Sequence, residues 1–159
     1  MSELNHFDKD GRAVMIDVSG KEPTLRCAWA EGSIHVSAGI IQRILQKSME
    51  KGDVLGVARI AGIMAAKQTS SVIPLCHPIA LRTCSVDFDI NEEENIIKAS
   101  AFVKTEEKTG VEMEALTAVS ASLLTIYDMC KAVDKKMEIT GIHLVRKTGG
   151  KSGDFAYDG

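Results

Sequence analysis

Apolar and polar residues alternate in several stretches of the chain, and this pattern predicts β-strands. Val86, Phe88 and Ile90 alternate with serine and aspartate, and a second alternating stretch follows the turn-like residues 91–95. Two such stretches joined by a turn are typical of a β-hairpin with one face in water. Gly32 is expected to interrupt an earlier strand. The stretches with strand-like pattern are residues 13–18, 25–36, 85–90, 97–103 and 137–147.

Apolar residues that recur every three to four positions predict three helices. Ser37 is a suitable N-cap for the first helix, which is expected to end near residues 51–52, and Asp53 can cap the second, residues 54–68. The third helix, residues 109–131, is the longest. Its apolar positions are separated mostly by Ala, Ser and Thr, so we expect other elements to cover it on several sides.

The predicted elements follow the order strand, helix pair, two hairpin strands, helix and strand. This is the split βαβ arrangement of the ferredoxin-like fold, an α+β architecture in which an antiparallel sheet carries helices on one face. We therefore expect residues 12–159 to form a single ferredoxin-like domain that ends in a flexible, glycine-rich basic tail. Residues 1–11 are polar and lack periodicity, and we expect them to form a mobile arm.

Composition and charge argue against several classes of function. A net charge of −3 and 4% aromatic residues provide neither a basic surface nor many rings for base stacking, so nucleic-acid binding is disfavoured. The sequence has no signal-peptide pattern and no apolar run of membrane-spanning length, and we expect a cytoplasmic protein. The four cysteines show no C-x-x-C spacing, which argues against a zinc site and a disulfide scaffold.

The third helix carries charged residues at both ends. Glu112 and Glu114 fall in its first turn, and Asp128 and Lys131 lie three residues apart at its other end. In one interpretation these residues only complement the helix dipole and form an ordinary ion pair. In the other, Asp128 and Lys131 point into one pocket and act as acid and base, and the lysine also holds an anion. These residues alone leave both interpretations open.

Three further segments contain candidate site residues. Residues 69–80 read TSSVIPLCHPIA, an apolar loop with prolines on both sides of Cys76 and His77, and such loops are usually buried or line a pocket. The tail is not a P-loop, because Val145 stands where that motif needs glycine. Its lysines lie among glycines whose backbone N–H groups can wrap a phosphate, although a frayed terminus fits equally well. Lys51 alone indicates only a favourable helix C-terminus.

Long motifs in the chain resemble a known family. They are IPLCHP at residues 73–78, TGVEMEALTAVSASLLTIYDMCKAVDK at 109–135 and KTGGKSGDF at 147–155, with KGDVLGVARIAGIMAAK at 51–67. These segments are similar to the molybdenum cofactor biosynthesis protein C family, the cyclic pyranopterin monophosphate synthases. The resemblance covers nearly the whole chain after about residue 5, with no substitution at the motif positions. It favours the catalytic interpretation.

The resemblance implies a reaction and a set of site residues. Family members convert 3′,8-cyclo-7,8-dihydroguanosine 5′-triphosphate to cyclic pyranopterin monophosphate with release of pyrophosphate, and require no metal or organic cofactor. Matching positions imply three catalytic residues: Asp128, Lys131 and Lys51. They also imply eight substrate-binding residues: Leu75, Cys76, His77, Glu112, Met113, Glu114, Lys147 and Lys151.

Two other functions stay open beside this one. A metal-dependent, cyclohydrolase-like pterin enzyme is disfavoured by the missing Cys and His set. A non-enzymatic, ferredoxin-like nucleotide-binding module is disfavoured by the candidate lysines and Asp128. A pyrophosphate-release assay separates such a module from an enzyme.

The length of the third helix predicts an oligomer. Glu114 and Asp128 are separated along it by roughly 21 Å, so one helix cannot easily present both to one nucleotide-sized ligand. We therefore expect a homo-oligomer with active sites between subunits, and the resemblance implies a hexamer built as a trimer of dimers. Small residues of this helix, Ala115, Ala118, Ser120 and Ser122, are expected to permit close contact with a second chain.

Overall fold

The computed structural model describes residues 6–159. Within these residues there are five strands and four helices, in this order: β1 (Thr24–His35), α1 (Ala38–Leu45), α2 (Val54–Ala66), α3 (Thr69–Val72), β2 (Leu81–Asn91), β3 (Ile96–Glu107), α4 (Glu112–Cys130), β4 (Glu138–Thr148) and β5 (Phe155–Ala156). All strand pairs are antiparallel, in the order β2-β3-β1-β4-β5. The first four of these strands have the ferredoxin-like order, so the predicted α+β fold is confirmed.

The core lies between the sheet and α4. Alternate residues of β1 and β3 are buried, and most of those on the side facing α4 are small or β-branched. The sequence predicts that Gly32 interrupts this strand, and that prediction is wrong. β1 continues through Gly32, with an irregular register against β4. A Cβ atom at Gly32 would lie 3.1 Å from side-chain carbons of both Val119 and Leu123. The glycine therefore lets α4 approach the sheet closely.

The small residues of α4 pack against α2 within the same chain. The Ser122 hydroxyl donates to the carbonyl of Ala58 on α2 at 3.1 Å. Ala115, Ala118 and Ser122 are fully buried. The expectation that these three residues contact a second chain is therefore wrong, because they are already buried within this chain.

The structure corrects several predicted boundaries. α1 ends at Leu45, well before residues 51–52, and α2 ends at Ala66, where the short α3 soon follows. The Asp53 cap is confirmed, because its carboxylate accepts from the Gly56 N–H at 2.9 Å. The strand predicted at residues 13–18 is reduced to one bridge between Phe7 and Ala13.

The N-terminal region has no regular strand or helix before β1 in the part of the chain that the structure describes. Residues 1–5 of the predicted mobile arm lie outside that part, and residues 6–11 include a turn and the bridge to Ala13. Across residues 6–159, no helix is long and apolar enough to cross a membrane.

Candidate active site

Two groups of predicted site residues lie at opposite ends of α4. The first, which we call the lysine cluster, consists of Lys51, Asp128 and Lys131 at the C-terminal end. The second, which we call the carboxyl cavity, is a depression of about 230 Å³ at the N-terminal end. Its lining includes the six predicted residues Leu75, Cys76, His77, Glu112, Met113 and Glu114.

Asp128 is the centre of the lysine cluster. Its Oδ1 lies 2.6 Å from Lys131 Nζ, and its Oδ2 lies 3.9 Å from Lys51 Nζ. Lys51 also donates to the backbone carbonyl of Asp128 at 3.1 Å, so it satisfies one of the free carbonyls at the end of α4. Lys51 therefore caps the C-terminal end of α4. Its position in the sequence does not reveal this contact, because Lys51 is distant from α4 along the chain.

The ion pair between Asp128 and Lys131 moves the pKa values of these two groups further apart. The hydrogen bond and charge of Lys131, followed by the charge of Lys51, lower the pKa of Asp128. The same contact with Asp128 raises the pKa of Lys131. At neutral pH the cluster therefore holds an ionised carboxylate beside a protonated amine. All three side chains are about half exposed, which leaves them accessible to a ligand.

A cavity of about 280 Å³ adjoins the lysine cluster and includes Lys51 in its lining. Arg43, in the last turn of α1, lines the same cavity and brings a further cation near Lys51. Sequence reasoning missed Arg43, because its position on the helix shows nothing of the cavity.

The proline-bracketed loop forms one wall of the carboxyl cavity. His77 Nε2 lies 2.7 Å from the carbonyl of Ile16, and because a carbonyl only accepts, this nitrogen carries the donated proton. Ile16 belongs to the N-terminal segment, which lines the cavity together with the loop. Lys21 and His6 of that segment also line it. Sequence reasoning missed both residues, because their segment has no periodicity that places it.

Burial controls the chemistry of the carboxyl cavity. Glu114 is only 4% exposed, and burial raises its pKa to about 7, aided by the negative charge of Glu112 and opposed by its own backbone N–H. Burial, and then the charge of Glu114, also raise the pKa of the Cys76 thiol. The cavity therefore contains a neutral thiol and a carboxyl that takes up a proton far more readily than an exposed glutamate does.

Lys147 connects the C-terminal region to this cavity. Its Nζ lies 3.1 Å from Glu112 Oε1 and donates to the Ser152 hydroxyl. The turn after β4 is held further by the Gly149 N–H, which donates to Asp154 at 3.1 Å. Lys151 is exposed, and within residues 6–159 it forms no ion pair. The structure therefore brings Lys147, but not Lys151, into contact with the other predicted substrate-binding residues.

The fold and these two groups of residues define the class of protein. It is a small ferredoxin-like α+β protein whose acidic and basic side chains line cavities of small-molecule size. Within the described residues, no three His, Cys, Asp or Glu side chains are grouped to hold a metal ion.

The chain belongs to the MoaC family, whose model matches residues 15–150. It is 57% identical over 154 residues to the cyclic pyranopterin monophosphate synthase of Clostridium botulinum (strain Alaska E43 / Type E3), covering 97% of both chains. The synthase of Roseiflexus sp. (strain RS-1) is 54% identical over 158 residues, which is 99% of this chain and 100% of that protein. The Bacillus pumilus (strain SAFR-032) synthase is 52% identical over 157 residues, or 98% and 96% of the two chains. The family resemblance of the sequence is confirmed.

Proposed function

We propose that this protein is a cyclic pyranopterin monophosphate synthase of molybdenum cofactor biosynthesis. It rearranges 3′,8-cyclo-7,8-dihydroguanosine 5′-triphosphate and releases pyrophosphate. The observation that carries the proposal is the lysine cluster, in which Asp128 contacts two lysines, on a chain more than half identical to proteins of that name. Because the substrate derives from GTP, we place the reaction in the cytoplasm.

The lysine cluster supplies the proton transfers of the rearrangement. Opening the imidazole-derived ring and closing a pyrazine ring requires protons to be delivered and removed at nitrogen and carbon. Lys131 and Lys51 are the proton donors in this proposal, and Asp128 is the acceptor that also holds the lysines in place. Because the ion pair with Asp128 raises the pKa of Lys131, the lysine becomes a better donor once the substrate separates the pair.

The residues at the other end of α4 hold the substrate. Leu75, Cys76 and His77 form one wall for the base, while Glu112, Met113 and Glu114 form the other. Lys147 is close enough to this cavity to neutralise the triphosphate, and we assign Lys151 to the same role on the phosphates further from the base. Lysines and backbone N–H groups stabilise the charge that develops as pyrophosphate leaves.

The active site in this proposal is shared between subunits. Glu114 and Asp128 are 14 residues apart on one helix, which corresponds to roughly 21 Å. One substrate therefore reaches both groups only if a second chain provides one of them. Val57, Ile60 and Met64 of α2 and Leu124 of α4 are between 44% and 60% exposed, and this apolar surface supports a homo-oligomer. We propose a hexamer built as a trimer of dimers.

A turnover assay tests the proposed function. The purified protein is incubated with the cyclised GTP derivative, and pyrophosphate and the cyclic pterin product are measured. We expect stoichiometric release of both products from the wild-type protein. Binding of the nucleotide without any pyrophosphate release would instead identify a nucleotide-binding module.

A further inference from the structure

The turn between β4 and β5 carries charge that the proposed function assigns to the phosphates. We call residues 149–154 the glycine turn; Lys147 precedes it on β4, and Lys151 lies within it. Three of its residues are glycines with φ between 74° and 86°, a conformation that residues with side chains rarely adopt. Because glycine also loses the most conformational freedom on folding, the shape of this turn depends on the contacts that hold its two ends.

The first end of the glycine turn rests on β1. β4 pairs with β1 as far as Thr148, and the backbone then passes so close that a Cβ atom at Gly149 would meet the Leu25 carbonyl. A Cβ atom at Gly150 would meet the guanidinium of Arg26. That guanidinium is itself fixed, because it donates to two backbone carbonyls around the end of β3 at 2.9 and 3.1 Å. The sheet therefore sets the entry into the turn.

The second end of the glycine turn is held by a short strand and one pair of rings. β5 pairs with β4 only through Phe155 and Ala156, and the Tyr157 N–H then donates to the Val145 carbonyl at 2.9 Å. The Tyr157 ring lies against the ring of His143 on β4, with centroids 4.6 Å apart and planes inclined at 51°. So short a strand pair is marginal alone, and an aromatic pair adds stability beyond its buried area.

The sheet also holds the ring on which Tyr157 packs. His143 Nδ1 donates to the Gly141 carbonyl at 2.6 Å, and His143 Nε2 lies 3.8 Å from Glu31 Oε1 on β1. Glu31 is anchored in turn by Lys98 of β3 at 2.6 Å. Among the described residues, neither ring of the pair lines the carboxyl cavity or the cavity beside the lysine cluster. The pair therefore joins the tail to the sheet outside both cavities.

We propose that the stacked rings of His143 and Tyr157 position the glycine turn, so that Lys151 is held beside Lys147 for the triphosphate. This inference rests on the proposed function, which assigns both tail lysines to the phosphates. The Ser152 hydroxyl accepts from Lys147 across the turn, a contact that forms only while the chain returns to β4. A turn ordered in advance loses its conformational entropy on folding rather than on binding, which favours affinity.

The experiment measures kcat/KM for pyrophosphate release from the cyclised substrate at low and high salt. We expect Tyr157→Ala to lower kcat/KM by about two- to tenfold, the range that an aromatic pair contributes, mostly through KM. The loss should shrink at high salt, because the turn acts through the charge of a lysine. His143→Ala removes the other ring and should have the same effect. Tyr157→Phe keeps the stack and should restore the wild-type value.

A double substitution shows whether the stack acts through Lys151. When Lys151 is already alanine, Tyr157→Ala should lower kcat/KM by no more than about 1.5-fold, because the positioned side chain is gone. Asp158→Ala, an exposed change beside Tyr157, is the matched control and should equal wild type. Hydrogen exchange without ligand gives a second readout: the amides of Gly149 and Gly153 should exchange faster in Tyr157→Ala but not in Tyr157→Phe.

Four results would overturn the proposal: unchanged kcat/KM in Tyr157→Ala, no rescue by Tyr157→Phe, an undiminished loss in the Lys151→Ala background, or unchanged hydrogen exchange. Pyrophosphate release by wild type together with any of these results removes the role of the stack and leaves the proposed function intact. If the wild-type protein releases no pyrophosphate, the proposed function is wrong, and this inference is wrong with it.

Discussion

Lys131 and Asp128 form the shortest ion pair in the lysine cluster, and substitution tests whether each of them is needed for catalysis. We expect Asp128→Ala and Lys131→Ala each to lower turnover by about 10²-fold or more while the protein stays folded, because each removes a proton-transfer group. Steady-state pyrophosphate release measures the effect. Lys135→Ala, an exposed lysine just beyond α4, is the matched control and should keep full activity. Near-normal turnover in either test variant would remove that residue from the mechanism.

Lys147 is expected to act mainly through charge. Lys147→Ala and Lys151→Ala should weaken binding of a triphosphate ligand, and the loss should shrink at high salt because salt screens the attraction. Affinities measured at low and high ionic strength check this. Lys67→Ala at the end of α2 is the control, because Lys67 does not line the carboxyl cavity or the cavity beside the lysine cluster. Equal losses for a nucleoside without phosphates would contradict the role.

The buried carboxyl of Glu114 should make the free energy of unfolding depend on pH. Burial raises its folded-state pKa from 4.5 to about 7, so between these values the folded protein binds more protons than the unfolded chain. Stability from this group is therefore complete below about pH 4.5 and is lost as the pH rises through 7. Glu114→Gln should remove the loss, and above pH 7 its free energy of unfolding should exceed that of wild type by up to about 3 kcal/mol. Denaturant titrations at several pH values and one protein concentration measure this. A pH-independent difference would contradict it, and Glu138→Gln should show no difference.

At the scale of elements, the contact of α2 with α4 depends on Gly62. A Cβ atom there would lie 2.8 Å from the backbone carbonyl of Ala118 and would also meet the Ser122 hydroxyl. We expect Gly62→Ala to destabilise the protein by about 1–3 kcal/mol, because the two helices must move apart. Gly39→Ala in α1 is the matched control. Within residues 6–159, the one atom close to a Cβ at Gly39 is the Ser37 hydroxyl at 4.0 Å, so the gain in helix propensity should stabilise the protein or leave its stability unchanged. Equal effects of the two substitutions would exclude close packing as the cause.

Sequence periodicity predicted which segments form helices and strands, but not which segments pack against them. The Asp53 cap and the hairpin of β2 and β3 depend on nearby residues, and both were predictable for that reason. The end of α1 was placed too late and the short α3 was missed, because isolated turns lack a repeating apolar pattern. The small residues of α4 were assigned to a second chain, since a sequence does not show which helix will cover them.

In the candidate site too, contacts between nearby residues were predictable and contacts between distant residues were not. The spacing of Asp128 and Lys131 on one helix predicted their contact, which the structure confirms. The approach of Lys51 to Asp128 joins residues 77 positions apart and followed only from the family resemblance. The N-terminal segment was expected to begin as a mobile arm, yet His6 and Lys21 line the carboxyl cavity. Contacts between distant, non-periodic segments depend on the whole fold and could not be predicted from local pattern.

For the whole molecule, the distance between the lysine cluster and the carboxyl cavity leads to a test of whether two subunits share each active site. Glu114→Ala and Asp128→Ala are each expected to be inactive alone. If each site combines the carboxyl cavity of one chain with the lysine cluster of another, mixed oligomers contain some sites in which neither change is present. An equal mixture with free exchange should then recover about a quarter of wild-type activity, because random pairing leaves that share of sites intact.

The matched control for this mixture changes two residues of the same cluster. Asp128→Ala mixed with Lys131→Ala should recover no activity, because both substitutions lie in the lysine cluster and every site in a mixed oligomer keeps one of them. Mass spectrometry of differently labelled subunits shows whether exchange has occurred, and sedimentation gives the oligomeric state. Without recovery in the first mixture despite exchange, or with a fully active monomer, the shared site would be excluded. A single chain would then have to bring a substrate to groups that α4 holds roughly 21 Å apart.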